Sequence, residues 1–398
     1  MTFAPRTLTG DLIKASRSFA AVILTGPRRS GKTTLLRRVF PNASYHLLED
    51  PDTVARLRAD PRSFLDEVRL PAILDEIQNV PEILNYVRAR IDRAPRKTGQ
   101  WLLTGSQEAP LMRGVTESMA GRAAVLQLLP FSLAEHPKVS VLRGGFPEVI
   151  ARPAAASLWF RSYIQTYLER DVRAISEIRD LATFRRFLSL VAARCGQLLN
   201  RTDLAAPLGV SVPTISQWLS ILETTGQILL VPPFYENFGK RLVKSPKLYF
   251  VDSGLACHLL NISSEIELRR SPFLGAIFEG FVASEVVKLQ INAGRRKEVY
   301  YFRDQQGLEV DLVVPTGDRA LTLIEAKASR TVVPAMAESL VRLGKAVSRY
   351  DVTSLVVHPD IPGGATFSAI RPGVKAVPVT GLLSILGPSA RRARPRVR

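Results

Sequence analysis

Cysteine and histidine are scarce in this sequence, which has two cysteines and four histidines among 398 residues. Cys195 and Cys257 lie far apart and have no neighbouring ligands at a spacing typical of a metal site. A disulfide framework needs several cysteines in a short chain, and a structural zinc site needs grouped Cys and His ligands. We therefore expect neither a disulfide-stabilised domain nor a zinc domain.

Long hydrophobic runs are missing as well. No apolar stretch approaches the roughly 20 residues that a helix needs to span a bilayer. The first ten residues, MTFAPRTLTG, contain no apolar segment typical of a signal peptide. These absences predict a cytoplasmic protein that has no membrane-spanning segment and no membrane partner.

Acidic residues are outnumbered, because 36 Asp and Glu stand against 54 Lys and Arg, for a net charge of +18. This surplus favours a polyanionic partner, and nucleic acid, DNA above all, is the simplest. An acidic membrane surface comes second, and an arginine-rich composition with a solvated basic surface is the alternative. Residues 387–398 hold five arginines and are expected to form a disordered basic tail.

The segment with the clearest chemistry lies between residues 21 and 39. Gly26 to Thr33 reads G-x-x-x-x-G-K-T, the phosphate-binding P-loop pattern. An apolar, strand-like run precedes it, and a segment with helical apolar spacing follows. Lys32 is expected to contact the β- and γ-phosphates, and the Thr33 hydroxyl to coordinate Mg²⁺. The residues predicted to surround ATP are Gly26, Pro27, Arg28, Arg29, Ser30, Gly31, Lys32, Thr33 and Thr34.

Two adjacent carboxylates end a second apolar run, Ala72 to Glu76. Open α/β sheets bind their ligands at the carboxyl ends of the strands. Asp75 is therefore predicted to hold Mg²⁺, and Glu76 to polarise the attacking water. A solvated turn is the alternative for such a pair, but its position after a P-loop favours a functional role. The glutamate directly after the aspartate also favours an ATPase over a small-molecule kinase.

The strand that begins at Trp101 also ends in polar residues. A hydroxyl or amide there can sense the γ-phosphate, so Ser106 or Thr104 is a candidate and Gln107 is a third. An ordinary strand terminus is the alternative.

Arg122 follows a pair of small residues and is a candidate catalytic finger that acts on a neighbouring subunit. This role implies a homo-oligomer. A plain surface arginine is the alternative, and Arg113 is a weaker candidate for the same role.

Five segments in order carry a family resemblance: GPRRSGKTTLL, LPAILDEIQNVPEIL, LLTGSQ, AGRAAVLQLLPFSLAE and GGFPE. They resemble the AAA-type P-loop ATPases of an uncharacterised prokaryotic family, and the resemblance continues through SYIQTYLERDV, residues 162–172. That family joins its ATPase to a C-terminal domain of unknown function with a nuclease-like core. The resemblance implies nucleotide hydrolysis but does not settle what the family does.

The expected fold is α/β in four parts. Residues 1–150 form an AAA-type P-loop ATPase core with a parallel sheet, and residues 151–262 form a helical linker and a winged helix-turn-helix. Residues 263–386 form an α/β restriction-endonuclease-like domain, and the basic tail follows.

The winged module is predicted from residues 200–222, NRTDLAAPLGVSVPTISQWLSIL, whose apolar spacing around Gly209 is typical of a helix-turn-helix. Ser211 is expected to cap the second helix, whose first residues would face a DNA groove. Runs 227–232 and 247–252 are the predicted wing. Four flanking cations are expected to contact phosphates: Lys240, Arg241, Lys244 and Lys247. A packing module without DNA contact is the alternative.

The last domain carries the second candidate site. Residues 308–314 and 321–327 are predicted strands around a turn at 315–318, and their alternation places Asp311 nearly opposite Glu325. Two like charges there repel unless a cation or a proton lies between them. We expect Mg²⁺ on Asp311 and Glu325, with Glu325 and Lys327 in catalytic roles.

This arrangement resembles the PD-(D/E)XK nuclease core. The resemblance implies that Glu279, which matches the helix carboxylate often present in that core, is a third Mg²⁺ ligand. Val310 replaces the proline of that pattern, and Ala326 replaces its more usual valine. A retained nuclease-like fold without activity is the alternative.

Together these features predict an ATP-hydrolysing enzyme coupled to nucleic-acid handling, with an Mg²⁺-dependent nuclease-like domain at its C-terminal end. An ATP-switched DNA-binding regulator or scaffold with an inactive nuclease-like domain is the second hypothesis. An ATP-driven protein remodeller is the third.

Overall fold

The computed structural model describes residues 4–105, 118–168, 181–234, 244–360 and 367–387. The chain divides into two compact units. The N-terminal unit comprises residues 1–131, 224–227 and 291–295, and the C-terminal unit comprises residues 132–223, 228–290 and 296–398. The first continuous segment of the N-terminal unit thus ends at Phe131, whereas the sequence suggested a boundary at residue 150. Residues beyond Phe131 bond within the second unit, as when the Leu133 amide donates to the Glu285 carboxylate over 2.6 Å.

The N-terminal unit is built on a five-stranded sheet in the order β2-β3-β4-β1-β5, in which every pairing is parallel. Its strands are β1 (Ala21–Thr25), β2 (Ser44–Leu47), β3 (Ala72–Asp75), β4 (Trp101–Thr104) and β5 (Ala123–Gln127). The helices are α1 (Thr9–Ser18), α2 (Lys32–Val39), α3 (Pro51–Ala59), α4 (Pro61–Glu67) and α5 (Ile83–Arg93).

Apolar layers cover both faces of this sheet. Ile23 belongs to one hydrophobic cluster, whereas its neighbours Val22 and Leu24 belong to the cluster on the opposite face. Successive side chains of a strand point to opposite faces, and a parallel sheet covered on both faces needs continuous apolar strands. This is why the runs AVILT and AILD form buried strands whose carboxyl ends lie at one edge.

The first part of the C-terminal unit is helical. It contains α6 (Pro147–Ala151), α7 (Ala156–Tyr163), a π-helical turn at Ile164–Leu168, α8 (Leu181–Ala193), α9 (Arg201–Ala205) and α10 (Val212–Thr224). Gly209, between α9 and α10, has a φ of 64°, a left-handed conformation that favours glycine. Ser211 caps α10 as predicted, since its hydroxyl accepts a hydrogen bond from the Thr214 amide over 3.2 Å.

An antiparallel two-stranded ribbon follows, formed by β6 (Ile228–Val231) and β7 (Lys247–Phe250). Helix, turn, helix and ribbon therefore occur at the predicted places. Their assignment as a DNA-binding winged helix stays a prediction.

The remainder of the unit holds a six-stranded mixed sheet in the order β12-β13-β11-β10-β9-β8. Three helices come before it, α11 (Ser253–Leu259), α12 (Glu265–Arg270) and α13 (Leu274–Asn292). The strands are β8 (Tyr300–Arg303), β9 (Glu309–Gly317), β10 (Ala320–Ala326), β11 (Asp351–His358), β12 (Ser368–Arg371) and β13 (Val374–Pro378). Helix α14 (Glu338–Ala346) packs through Leu340 and Leu343 in the same cluster as Leu323, and α15 (Val379–Leu386) comes last.

The β9–β10 hairpin has the predicted register. Leu312 pairs with Ile324, so Asp311 and Glu325 are the next residues on the two strands. Strand β9 extends to Gly317, and the turn is therefore shorter than expected. Among the residues that the structure describes, no helix is both long and apolar enough to cross a membrane.

Candidate active site

The P-loop leaves the carboxyl end of β1 in a shape that requires glycine. Gly26 has a φ of 136°, and a Cβ atom there would lie 2.2 Å from the Leu128 carbonyl oxygen. Gly31, at the start of α2, has a φ of 97°. Side chains at either position would be strained, and at Gly26 one would collide with backbone. The backbone conformation therefore requires glycine at both positions of the motif.

Between the glycines, the loop residues differ in exposure. Pro27, Arg28 and Ser30 are buried, whereas Arg29 is exposed and has a φ of 62°. The Ser30 hydroxyl is fully buried and has no hydrogen-bond partner among the described residues. Thr34 is exposed on the first turn of α2. An unpaired buried hydroxyl at this position suits a ligand that brings hydrogen-bonding oxygens.

Lys32 is buried, and its ammonium group points back into the loop. Nζ donates to the carbonyl oxygens of Gly26, at 3.1 Å, and Pro27, at 3.0 Å. A buried ammonium needs such partners. These contacts place the charge at the centre of the loop, where the phosphates of a nucleotide are expected.

Asp75, at the end of β3, meets the P-loop helix directly. The Thr33 hydroxyl lies 3.0 and 2.9 Å from its two carboxylate oxygens. The Tyr45 hydroxyl donates to Oδ2 over 2.7 Å, and the Thr104 hydroxyl donates to Oδ1. Burial and the bond to Asp75 raise the pKa of Tyr45. A buried carboxylate beside a threonine hydroxyl is the oxygen donor set that Mg²⁺ prefers, so these residues fit the ion.

Strand order explains how Thr104 reaches this carboxylate. Strand β4 lies between β1 and β3, so its last residue lies between the P-loop and Asp75. Thr104 also accepts a hydrogen bond from the Glu76 amide over 3.2 Å. It was one of the two leading candidates for sensing the phosphate. Ser106, Gln107 and Arg113 lie outside the described residues.

Glu76 adopts a left-handed backbone conformation, with a φ of 60° and a ψ of 46°. Non-glycine residues rarely adopt it, and such strain clusters at functional sites. The carboxylate accepts a hydrogen bond from the Gln78 amide group and lies 3.8 Å from the Arg28 guanidinium. Glu76 is therefore oriented toward the P-loop by two neighbours.

A second segment of the N-terminal unit supports the P-loop. Gly226, two residues after α10, has a φ of 70°, and a Cβ atom there would lie 3.0 Å from Pro27 Cγ. The neighbouring Thr225 and Gln227 are buried. A side chain at position 226 would therefore press on the P-loop.

Arg122 lies at the other end of the strands, near the amino end of β1. It precedes β5, whose first residue pairs with the first residue of β1, whereas the P-loop follows the last residue of β1. Its guanidinium makes a two-pronged ion pair with Asp92, with N–O distances of 2.6 and 3.1 Å. Four residue steps along a strand, about 13 Å, separate the two ends, so any role at a nucleotide requires the nucleotide of another subunit.

The second candidate site, in the C-terminal unit, differs from expectation. Lys247 on β7 is buried, and its Nζ lies 2.8 Å from Glu279, 2.5 Å from Glu309 and 3.7 Å from Asp311. The Tyr249 hydroxyl also donates to Glu279. A lysine ammonium thus sits among the carboxylates for which the sequence predicted Mg²⁺.

Glu325 and Lys327 form a separate pair at 2.7 Å, and the Ala326 amide donates to Asp311 over 2.9 Å. Burial, followed by the charge of Asp311, raises the pKa of Glu279 and of Glu325 to about 7. No three carboxylate, imidazole or thiolate groups are placed to hold a metal ion in the part of the chain that the structure describes. The predicted Mg²⁺ set of Glu279, Asp311 and Glu325 stays a prediction, and Lys247 supplies a positive charge beside two of these carboxylates.

The burial of Lys247 also changes the interpretation of the four cations that were predicted to bind phosphates beside the ribbon. Lys244 is exposed, but Lys247 is buried in its carboxylate cluster and cannot reach a DNA backbone. Lys240, Arg241 and the basic tail lie outside the described residues.

Sequence reasoning missed Tyr45 at the nucleotide site and Tyr249 at the second site. Tyr45 on β2 pairs with Ile73 on β3. Ile73 is two residues before Asp75, so Tyr45 and Asp75 lie on the same face of the sheet. A polar aromatic residue inside a short strand was the available signal. Lys247 was noted only as a surface cation, although the apolar residues after it, in LYFV, indicated a buried strand.

Three family models match successive parts of the chain. An AAA domain matches residues 18–136, a domain of unknown function (DUF8612) matches residues 135–266, and a domain of unknown function (DUF4143) matches residues 274–362. With the P-loop, Asp75 and the parallel sheet, the first match defines an AAA-type P-loop ATPase domain. The third match carries no described function and leaves the nuclease-like core a prediction.

Two relatives cover most of the chain. The uncharacterised proteins Mb2031c of Mycobacterium bovis and Rv2008c of Mycobacterium tuberculosis are each 32% identical to it over 349 residues. The matched region spans 85% of this chain and 77% of theirs. The chain belongs to the same family as these two proteins.

Solved structures resemble the chain only distantly. The Walker-type ATPase PABY2304 of Pyrococcus abyssi is 15% identical, with a TM-score of 0.42, and the match covers 63% of this chain and 94% of that protein. DnaA of Aquifex aeolicus bound to AMPPCP is 13% identical, with a TM-score of 0.27 and coverages of 54% and 85%. Likeness at these levels carries no functional assignment.

Proposed function

We propose that this protein is an Mg²⁺-dependent ATPase whose hydrolysis is coupled to nucleic-acid handling. The observation that carries the ATPase part is the contact between the Thr33 hydroxyl and the Asp75 carboxylate, at 2.9 and 3.0 Å, beside Glu76. It joins the end of the P-loop to the end of β3, where phosphoryl-transfer chemistry needs a metal ligand and a base together.

Each group has a distinct task in hydrolysis. Lys32 and the loop amides bind the β- and γ-phosphates. Thr33 and Asp75 would hold Mg²⁺, whose charge offsets that of the phosphate oxygens. The P-loop glycines keep the backbone close to the substrate. The Thr104 hydroxyl holds both the Asp75 carboxylate and the Glu76 amide in place through hydrogen bonds.

Glu76 is the general base in this proposal. As a water oxygen bonds to the γ-phosphorus, the bond from that phosphorus to the bridging oxygen breaks, and Glu76 accepts the water proton. The products are ADP and inorganic phosphate. Arg28 lies 3.8 Å from the Glu76 carboxylate, and its positive charge helps to orient that carboxylate.

Two observations support nucleic acid as the partner. The net charge of +18 favours a polyanion. Helix α10 packs Ile215, Trp218 and Leu219 inward and leaves Pro213, Gln217 and Ser220 exposed, as expected of a helix that enters a groove.

The test is the ATPase rate of the full chain alone and with single-stranded DNA, duplex DNA or RNA at several salt concentrations. Coupling predicts a several-fold stimulation by one of these polymers that weakens as salt rises. Lys32→Ala should abolish the rate with and without polymer. A wild-type rate that no polymer changes would favour the protein-remodelling hypothesis, and binding without stimulation would favour the regulator hypothesis.

A nuclease function is the second candidate. The observation that favours it is the convergence of Glu279, Asp311 and Glu325 near two lysines, which the β9–β10 register and the raised pKa values support. The lysine among these carboxylates weighs against it. The test is Mg²⁺-dependent cleavage of a labelled DNA panel, with Asp311→Asn as the control. Cleavage that is lost in Asp311→Asn would favour an active nuclease, and no cleavage would favour a nuclease-like site without activity.

A further inference from the structure

The carboxylate cluster of the C-terminal unit is organised around one lysine. Lys247 Nζ contacts Glu279 on α13 and two residues of β9, Glu309 and Asp311, which lie on the same face of that strand. The lysine side chain is 2% exposed, so water does not supply its partners. Three carboxylates from two elements therefore surround one ammonium group.

Charge explains why a cation must occupy this position. Buried carboxylates repel one another, and the repulsion is relieved by a proton, a metal ion or an ammonium group. Arg303 is 3.3 Å from Glu309, and Lys327 is 2.7 Å from Glu325. These two cations face the periphery of the cluster, whereas Lys247 contacts its centre.

The cluster also keeps one acceptor unused. Oε2 of Glu325 is buried and has no hydrogen-bond partner among the described residues, although Oε1 binds Lys327. Glu325 itself is 8% exposed. Burial, followed by the charge of Asp311, raises the pKa of both Glu279 and Glu325, so the three carboxylates lie within electrostatic reach of one another.

We propose that Lys247 is a built-in cation that takes the position of a divalent metal, so that the native C-terminal unit excludes Mg²⁺ and Mn²⁺ from these carboxylates. A divalent ion needs the same oxygens that the ammonium group contacts, and both cannot bind them at once. Tyr249, two residues along β7 and therefore on the same face, donates to Glu279 and fixes the acceptor that Lys247 uses. The ribbon strand β7 thus supplies the group that closes the site to metal.

Mn²⁺ binding, followed by electron paramagnetic resonance, tests this directly. The full chain is used without nucleotide and in an Asp75→Asn background, which removes the metal ligand of the ATPase site. We expect no Mn²⁺ site that depends on Asp311 in this background at Mn²⁺ concentrations up to about 1 mM. Lys247→Met in the same background should create one, with at least a tenfold gain in affinity, and adding Asp311→Asn should remove it.

Lys327→Met is the matched control, because it removes a lysine that contacts Glu325 and leaves Lys247 in place. It should create no site that depends on Asp311. Circular dichroism of each variant reports whether it folds. The Asp75→Asn protein tests the proposal without any change at Lys247: a Mn²⁺ ion bound there and lost with Asp311→Asn would overturn it, as would a folded Lys247→Met variant that gains no site.

Discussion

The hydroxyl of Thr33 lies 2.9 Å from Oδ2 of Asp75, although 42 residues separate them in the sequence. The contact exists because β1 and β3 end at the same edge of a parallel sheet. It brings the last P-loop residue to a buried carboxylate. The pair defines where Mg²⁺ and the terminal phosphate of ATP should be bound.

Tyr45 is predicted to position Asp75 for the metal. Tyr45→Phe removes the 2.7 Å hydrogen bond to Oδ2 while Thr33 and Thr104 keep their own. Partners of metal ligands typically contribute 10- to 100-fold to metal affinity or activity. We expect the Mg²⁺ concentration for half-maximal ATPase rate to rise about tenfold, with a smaller change in the KM for ATP.

The control is Tyr86→Phe, which removes a hydroxyl from α5 of the same unit. Its Mg²⁺ dependence should match that of the wild type. An unchanged Mg²⁺ dependence in Tyr45→Phe would contradict a positioning role for this tyrosine.

Gly226 is predicted to keep the P-loop in the conformation that binds the nucleotide. Gly226→Ala strains a left-handed backbone, at a cost of about 1 kcal/mol, and places a methyl group 3.0 Å from Pro27 Cγ. Gly209→Ala makes the same kind of backbone change where no atom lies within 4 Å. Nucleotide affinity, measured by fluorescence titration, should fall several-fold in Gly226→Ala and stay unchanged in Gly209→Ala. Equal effects in the two variants would mean that the contact with Pro27 is unimportant.

How much of the fold and of the two sites can be predicted from the sequence depends on how far apart in the sequence the interacting residues lie. The P-loop and Asp75 were predictable because a local motif and two apolar runs report on strands and their ends. Thr104 was within reach, since it ends a buried strand. Tyr45 was not, because its role depends on which strand lies beside β3, and strand order is a property of the whole sheet.

The second site shows the same limit in a different form. Hairpin register, and with it the opposition of Asp311 and Glu325, follows from alternation within 20 residues of sequence. Lys247 comes from a strand far earlier in the chain, and no local pattern indicates that its ammonium group meets Glu279. The need for a cation beside these carboxylates was therefore predictable from the sequence, whereas the presence of Lys247 among them was not.

Stability of the C-terminal unit should depend on pH through Glu325 and Glu279. Their pKa values are raised from 4.5 to about 7, so between these values the folded chain binds more protons than the unfolded chain. Stability contributed by these groups is therefore present at low pH and lost as pH rises from about 4.5 to about 7. Glu325 faces Asp311 and Glu279, which repel its charge, and Lys327, which attracts it.

Glu325→Gln removes one of the two groups and should reduce the loss of stability between pH 5 and pH 7.5 by about 1–3 kcal/mol. Amide hydrogen exchange in β9 and β10 at the two pH values measures this change locally. Glu338→Gln, at an exposed position on α14, is the control and should leave the pH dependence as in the wild type. A Glu325→Gln protein with the full wild-type dependence would contradict the assignment to Glu325.

Arg122 is predicted to act only between subunits, because its own P-loop lies at the other end of the strands. Arg122→Ala and Lys32→Ala should each be inactive alone. Mixing the two should restore part of the ATPase rate at interfaces where an intact Arg122 meets an intact P-loop. A monomer with a concentration-independent rate would instead leave Arg122 as the partner of Asp92 alone.

The central claim, that Glu76 is the base of an ATPase site formed by the P-loop and Asp75, is tested most directly by Glu76→Gln. This variant keeps Lys32, Thr33 and Asp75, so it should bind Mg²⁺-ATP with near wild-type affinity in an equilibrium titration. Its single-turnover hydrolysis rate should fall on the order of 10²- to 10⁴-fold, the usual contribution of a general base. A Glu76→Gln protein that hydrolyses bound ATP at the wild-type rate would contradict the claim.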